Sequence, residues 1–152
     1  REVLVWKSLN HENLAPFYGL YNHPDSLVPA LVSAYIPHNL MEYTDRYPTS
    51  RTHLLRQIGA GLKYLHAKYI IHGDIKPDNT RVSASGQAKI IDFGCGKMMG
   101  TQGFTTIQSR KPRYAAPELL YTEDDMPVKP TFKSDVFGFG MTVLQVLHSL
   151  TF

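Results

Sequence analysis

The sequence predicts an α+β fold in which helices frame a set of short strands and loops. Three observations carry this expectation. A helical stripe of Leu54, Leu55, Ile58, Leu62 and Leu65 runs through residues 51–68, and a second stripe runs through residues 134–150. Before and between them lie short apolar segments separated by turn residues. The order is helix, hairpin, long helix, short strands and loops, then helix, with the two classes unevenly shared along the chain.

Taken in order, Val3, Trp6 and Leu9 recur at helical spacing, and Asn10-His11-Glu12-Asn13 then breaks the pattern, so a helix tail is expected at residues 2–9. Residues 17–21 and 30–35 are apolar and flank the turn-rich Asn22-His23-Pro24-Asp25-Ser26, as a strand pair joined by a loop should. Thr49 and Ser50 stand where caps for the long helix are expected. Strand-like pieces follow at 69–71, 81–83 and 88–91, the last two joined by the turn sequence Ala84-Ser85-Gly86-Gln87. Pro117 suits the first position of a short helix ending at Leu120. The final helix is expected to bury Val136, Phe139, Val143, Leu144, Leu147 and Leu150.

Bulk properties narrow the function classes. At 152 residues and 43% hydrophobic residues the chain can bury one core and fits one domain. Sixteen basic against 13 acidic residues leave a net charge of +3, too small an excess for a nucleic-acid footprint. No apolar run approaches the length of a membrane span, and the first residues lack the design of a signal peptide. The lone Cys95 excludes an intrachain disulfide framework and suits a reducing compartment, so a cytosolic or nuclear location is expected. The chain begins inside an apparent helix and ends on Leu150-Thr151-Phe152, still within an apolar periodic segment, with no capping residue at either end, which suggests an excerpt of a longer domain.

The chemistry concentrates in His72-Gly73-Asp74-Ile75-Lys76-Pro77-Asp78-Asn79, just after a strand-like segment. Phosphoryl transfer needs a carboxylate to orient and accept the proton of the attacking hydroxyl, a cation to offset charge on the transferred group, and oxygen ligands for magnesium. Asp74, Lys76 and Asn79 supply these in that order. Thirteen residues past Asn79, Asp92-Phe93-Gly94 offers a second oxygen ligand, then a bulky anchor and a flexible residue. Each triplet alone is weak, since an Asp beside a Gly is usually turn chemistry.

Together with their context, these segments resemble the protein kinase family. Arg1-Glu2-Val3 through Leu14 resembles the end of the family's αC helix and its turn into the next strand. Leu31 through Pro37 resembles the hinge, Ala116-Pro117-Glu118 the close of the activation segment, and Ser134-Asp135-Val136-Phe137-Gly138-Phe139-Gly140 the start of the family's αF helix. The resemblance implies a two-lobe kinase-like fold, incomplete, running from αC through αF. Residues 1–35 would be a remnant of the N-lobe and residues 36–152 the hinge and C-lobe.

The same resemblance implies ATP and Mg2+ as cofactors, and a nucleotide and a protein substrate as partners, with no nucleic acid and no membrane segment. Asp74 would be the catalytic base, Lys76 the transition-state cation, and Asn79 and Asp92 the metal ligands. Ser33, Ala34, Tyr35, Ile36 and Arg81 would border the nucleotide, with Glu2 acting indirectly through an ATP-holding lysine. Asp92, Phe93, Gly94, Ala116, Pro117 and Glu118 would bound the activation segment. His72 and Asp135 would be structural, Asp135 by accepting backbone N–H bonds from the catalytic loop; read alone, Asp135 could equally cap the last helix. Lys76 is typical of serine/threonine kinases, and the general pattern resembles the tyrosine-kinase-like branch of that group.

The chain also departs from the family. Gly73 replaces the arginine that usually precedes the catalytic aspartate and receives a phosphorylated activation loop. Arg81 stands where a leucine normally lies under the adenine, and Lys111 where serine/threonine kinases usually have threonine. Both count toward a pseudokinase or scaffold without turnover. A small-molecule phosphotransferase of the aminoglycoside or choline type is the other alternative, because His72-Gly73-Asp74 with Asn79 suits its loop too, although Ala116-Pro117-Glu118 and Lys76 do not.

Overall fold

Helices of seven and seventeen residues and strands of two to five make up the regular structure of the computed structural model, which describes residues 7–22, 24, 30–91, 97–98, 112–120 and 128–148. Residues 7–8 are helical, as expected for the first helix, which stops before Leu9, one residue short of expectation; Glu2 and residues 3–6 lie outside the described residues. Strands β1 (Phe17–Tyr21) and β2 (Ala30–Ser33) form an antiparallel ribbon with a register irregularity between Phe17 and Gly19. The second strand stops two residues short of expectation, although the Ala34 N–H still donates to the Pro16 carbonyl at 2.9 Å.

Strand β3 (His38–Asn39) and helix α1 (Leu40–Arg46) were not expected from the sequence. The Asn39 side chain caps this helix by accepting from the Met41 and Glu42 amides at 2.8 and 3.4 Å. Only Leu40 and Thr44, one turn apart, are buried. Two turns give too few repeats for a helical period to stand out.

Helix α2 (Arg51–Ala67) buries the expected stripe, with Leu54, Ile58 and Leu65 fully enclosed. Burying each such side chain stabilises the fold by roughly 1.5–3 kcal/mol. The expected capping does not occur. Pro48–Ser50 forms a 3-10 turn leading straight into the helix, so Ser50 is already helical and its hydroxyl bonds back to the Tyr47 carbonyl at 2.6 Å. The helix ends at Ala67 with Lys68 as its C-cap, followed by Tyr69 in the left-handed region at φ 59. That reversal explains why the next strand, β4 (Ile70–Ile71), starts one residue later than the apolar pattern suggests.

The expected hairpin forms from β5 (Thr80–Val82) and β6 (Ala88–Ile90), its turn closed by the Ser83 N–H donating to the Gln87 carbonyl. Strand β3 adds to its outer edge, giving the order β3-β5-β6. Strand β7 (Lys97–Met98) pairs antiparallel with β4. Asn13 docks the segment before β1 onto this sheet: its buried side chain donates to the Ala88 carbonyl at 3.0 Å, and its own carbonyl accepts from the Ile90 N–H at 2.9 Å. Val82, Ala88 and Ile90 close the core over α2.

Residues Pro112–Tyr114 and Pro117–Leu119 form 3-10 turns before helix α3 (Phe132–His148). Thr131 and Ser134 exchange side-chain to backbone bonds at its start, at 2.8 and 3.1 Å, two residues upstream of the expected boundary. The buried face of α3 also differs from expectation. It consists of Ser134, Asp135, Gly138, Thr142 and Val146, whereas Val136, Leu144 and Leu147 are 56%, 47% and 45% exposed. Phe139 and Val143 pack on the core as expected. The reason is that α3 lies against the backbone of the loop after β4, and close approach to backbone selects small side chains and hydrogen-bond acceptors.

Candidate functional site

Residues 72–79, between β4 and β5, are fixed from below by one acid. Asp135, in the first turns of α3, accepts the His72 N–H at Oδ2 (2.9 Å) and the Gly73 N–H at Oδ1 (2.8 Å). Its side chain is 0% exposed. Buried carboxylates persist when hydrogen-bonded, and two adjacent amides reaching the two oxygens of one carboxylate lock the backbone locally. Gly73 has φ 82, a conformation that costs a side chain about 1–2 kcal/mol and glycine almost nothing. Asp135 therefore serves the loop, and the cap of α3 is supplied by Thr131 and Ser134.

His72 is fully buried and spans the loop sideways. Its Nε2–H donates to the Ile91 carbonyl at 3.1 Å, and its Nδ1 accepts the Asp74 N–H at 3.2 Å. The ring thus holds the start of the loop and the residue that follows β6 at a fixed separation. Gly138 makes the underside possible. A Cβ there would lie 2.7 Å from the Ile75 carbonyl oxygen and 3.3 Å from that of Tyr114. The Tyr114 hydroxyl donates to Gln145 Oε1, which ties the 3-10 turn before Ala116 to the same helix.

On this platform three side chains meet. Lys76 Nζ donates to Asp74 Oδ2 at 2.6 Å, and Asn79 Nδ2 donates to the same oxygen and to the Asp74 carbonyl, both at 2.8 Å. The Asp74 and Lys76 side chains are 11% and 10% exposed. Asn79 is placed by the 3-10 turn Pro77–Asn79, and its carbonyl accepts the Ile91 N–H at 2.9 Å. Two donors saturate Asp74 Oδ2, whereas among the described residues nothing bonds its Oδ1. The Asn79 amide, turned so that Nδ2 faces Asp74, likewise leaves its Oδ1 without a protein donor among the described residues. That oxygen is a hard ligand of the kind magnesium takes, and the second expected ligand, Asp92, lies outside the described residues.

The other sequence-predicted residues distribute as follows. Ser33 ends β2, Ala34 and Tyr35 follow it with Tyr35 89% exposed, and Ile36 is buried. Arg81 is half-buried in β5 opposite Asn39 and Lys89. Ala116 is buried beneath the exposed Pro117 and Glu118. Glu2, Asp92, Phe93, Gly94 and Lys111 lie outside the described residues. A shallow cleft beside Asp74 is lined by Gly73, Ile75, Tyr114, Ala115 and Leu119. Sequence reasoning missed His66, near the end of α2, whose Nε2 lies 2.9 Å from Asp135 Oδ2. The one signal for it is a histidine on the flank of the α2 stripe, six positions before His72.

Comparison with known proteins agrees with this geometry. The family model described as protein kinase domain matches residues 1–151. The chain is 32% identical over 171 residues to the serine/threonine-protein kinase TOS3 of Saccharomyces cerevisiae, covering 97% of the chain and 30% of that protein. It is 32% identical to the serine/threonine-protein kinase ppk34 of Schizosaccharomyces pombe, covering 94% of the chain and 42% of the relative. It is 30% identical to mitogen-activated protein kinase 6 of Arabidopsis thaliana, covering 97% and 38%. The chain spans less than half the length of each of these relatives.

Proposed function

We propose, from the premise that this chain belongs to the protein kinase domain family, that it carries the phosphoryl-transfer centre of an ATP-dependent serine/threonine protein kinase. The observation that carries the proposal is the convergence of Lys76 and Asn79 on one oxygen of Asp74, with the other oxygen open and the backbone held by Asp135. Asp74 Oδ1 would accept the proton of a substrate serine or threonine hydroxyl as it attacks the terminal phosphate. Lys76, restrained by Asp74, would place its charge against the transferred group. Asn79 Oδ1, with Asp92, would hold magnesium, which when bound neutralises charge on the phosphate oxygens. Ser33, Ala34, Tyr35, Ile36 and Arg81 would border the nucleotide, and Glu2 would act on it indirectly.

In this reading residues 1–35 belong to the N-lobe and residues 36–152 to the hinge and C-lobe through αF. The general motif pattern supports placement in the tyrosine-kinase-like branch, Lys76 supports the serine/threonine assignment, and the single Cys95 supports a cytosolic or nuclear protein. The test is transfer of labelled phosphate from MgATP to serine- and threonine-containing acceptor peptides by the full-length protein. Loss of transfer on chelation of magnesium is the expected result. Metal-independent ATP binding without any transfer would favour the second reading, a nucleotide-binding pseudokinase, which Arg81 supports by standing where a leucine is usual.

A further inference from the structure

Asp135 accepts a third hydrogen bond that its backbone partners do not explain. His66, in the last turn of α2, approaches Asp135 Oδ2 with Nε2 at 2.9 Å. A carboxylate oxygen can only accept here, so Nε2 must carry the hydrogen. The ring is set edge-on to Phe132 in the first turn of α3, with centroids 4.8 Å apart and planes at 61°, which fixes the direction of the N–H. Among the described residues His66 is the only side chain bonded to Asp135; the other two donors are the His72 and Gly73 amides.

We propose that His66 is a positioning residue for the phosphoryl-transfer centre: by donating Nε2–H to Asp135 it fixes the orientation of the carboxylate that grips the loop carrying Asp74. The proposal rests on the kinase reading of Asp74. A fully buried carboxylate that loses one of three donors rotates or draws in water to recover a partner. Oδ2 is shared by His66 and the His72 amide, so rotation loosens the His72 bond first and the Gly73 bond with it. Asp74 follows Gly73 directly and takes its amide partner from His72. Its carboxylate therefore shifts when the grip slackens, and small misplacement of a reacting group carries a large kinetic cost. His66 acts through Asp135 and the loop backbone, so the effect falls on turnover and not on binding.

The experiment compares His66→Phe, which keeps a ring and removes the donor, with His66→Gln, whose amide N–H can occupy the place of Nε2–H. Both are measured in the full-length protein, with MgATP and dephosphorylated casein as probes. His66→Phe should lower kcat about tenfold or more while KM for ATP and for casein stays within about twofold. Amide exchange at His72 and Gly73 should speed up at least tenfold. His66→Gln should bring both readouts back to within about threefold of the wild type. Equal loss in the two variants, or wild-type exchange and kcat in His66→Phe, overturns the proposal. If His66→Phe does not fold, His66→Gln decides alone: it must fold and keep kcat and both exchange rates, or the N–H has no positioning role. A wild-type protein that phosphorylates nothing refutes the kinase reading, while the exchange comparison still tests the grip on the loop.

Discussion

Replacing Gly138 by alanine tests the platform beneath the loop proposed to be catalytic, because helix propensity and packing predict opposite outcomes. In an exposed helix interior the change stabilises by about 1 kcal/mol. At Gly138 the new Cβ would sit 2.7 Å from the Ile75 carbonyl oxygen, which is 0.7 Å short of the 3.4 Å at which ordinary contact begins. The obstacle is backbone, so it cannot rotate aside. Overpacking of this kind costs about 1–3 kcal/mol, and against the propensity gain the net expectation is a loss of roughly 0–2 kcal/mol. Kinetics should be more sensitive than stability. Ile75 follows Asp74, and a reacting group misplaced by about 1 Å loses on the order of 10²-fold, so kcat should fall about ten- to a hundredfold. Gly140 is the internal control: it lies in the same helix, and a Cβ added there would meet nothing within 4 Å, so Gly140→Ala should raise Tm and leave kcat alone. Thermal melting and steady-state phosphate transfer on both variants suffice. A Gly138→Ala protein with wild-type kcat and a Tm raised as in Gly140→Ala would refute the packing argument.

Three further outcomes are expected. Asp74→Asn should lower kcat by at least about 10²-fold with the circular dichroism spectrum retained, since it removes the proton acceptor without changing volume; turnover within tenfold of wild type would sink the assigned role. Asn13→Ala should cost about 1–3 kcal/mol in urea denaturation, because a buried bond to the Ala88 carbonyl is lost, and an unchanged midpoint would contradict the docking described for this segment. Asn39→Ala should cost about 1 kcal/mol through loss of the α1 cap, and Asn39→Asp should restore most of it; equal losses would show that the side chain does not act as a cap.

Legibility from sequence followed the number of repeats each element offers. Helix α2 shows its face over nearly five turns, and the hairpin of β5 and β6 is announced by Ala84-Ser85-Gly86-Gln87, so both stand where expected. Helix α1 has two buried residues and β3 has two residues altogether, too little for any period to emerge. The face of α3 departs from expectation because Leu144 and Leu147 carry the hydrophobic signal, whereas the side that packs must admit carbonyls and amides. Asp74, Lys76 and Asn79 were legible because one loop carries them within six residues. His66 was not, since its partner lies 69 positions downstream and nothing local distinguishes it from other flank residues of α2.

That separation has a consequence for how the chain acquires its chemistry. The contacts that hold the loop at residues 72–74 come from Asp135, 63 positions from His72 and 62 from Gly73. Closing so long a stretch costs entropy before any bond returns it, and contacts of this range form late in folding. A nascent or partly unfolded chain can contain α2, the hairpin and every residue of the loop, and still present Asp74 on a backbone with nothing beneath it. Competence for catalysis should therefore arise in one step, when α3 docks, and refolding followed by activity should lag refolding followed by helix content.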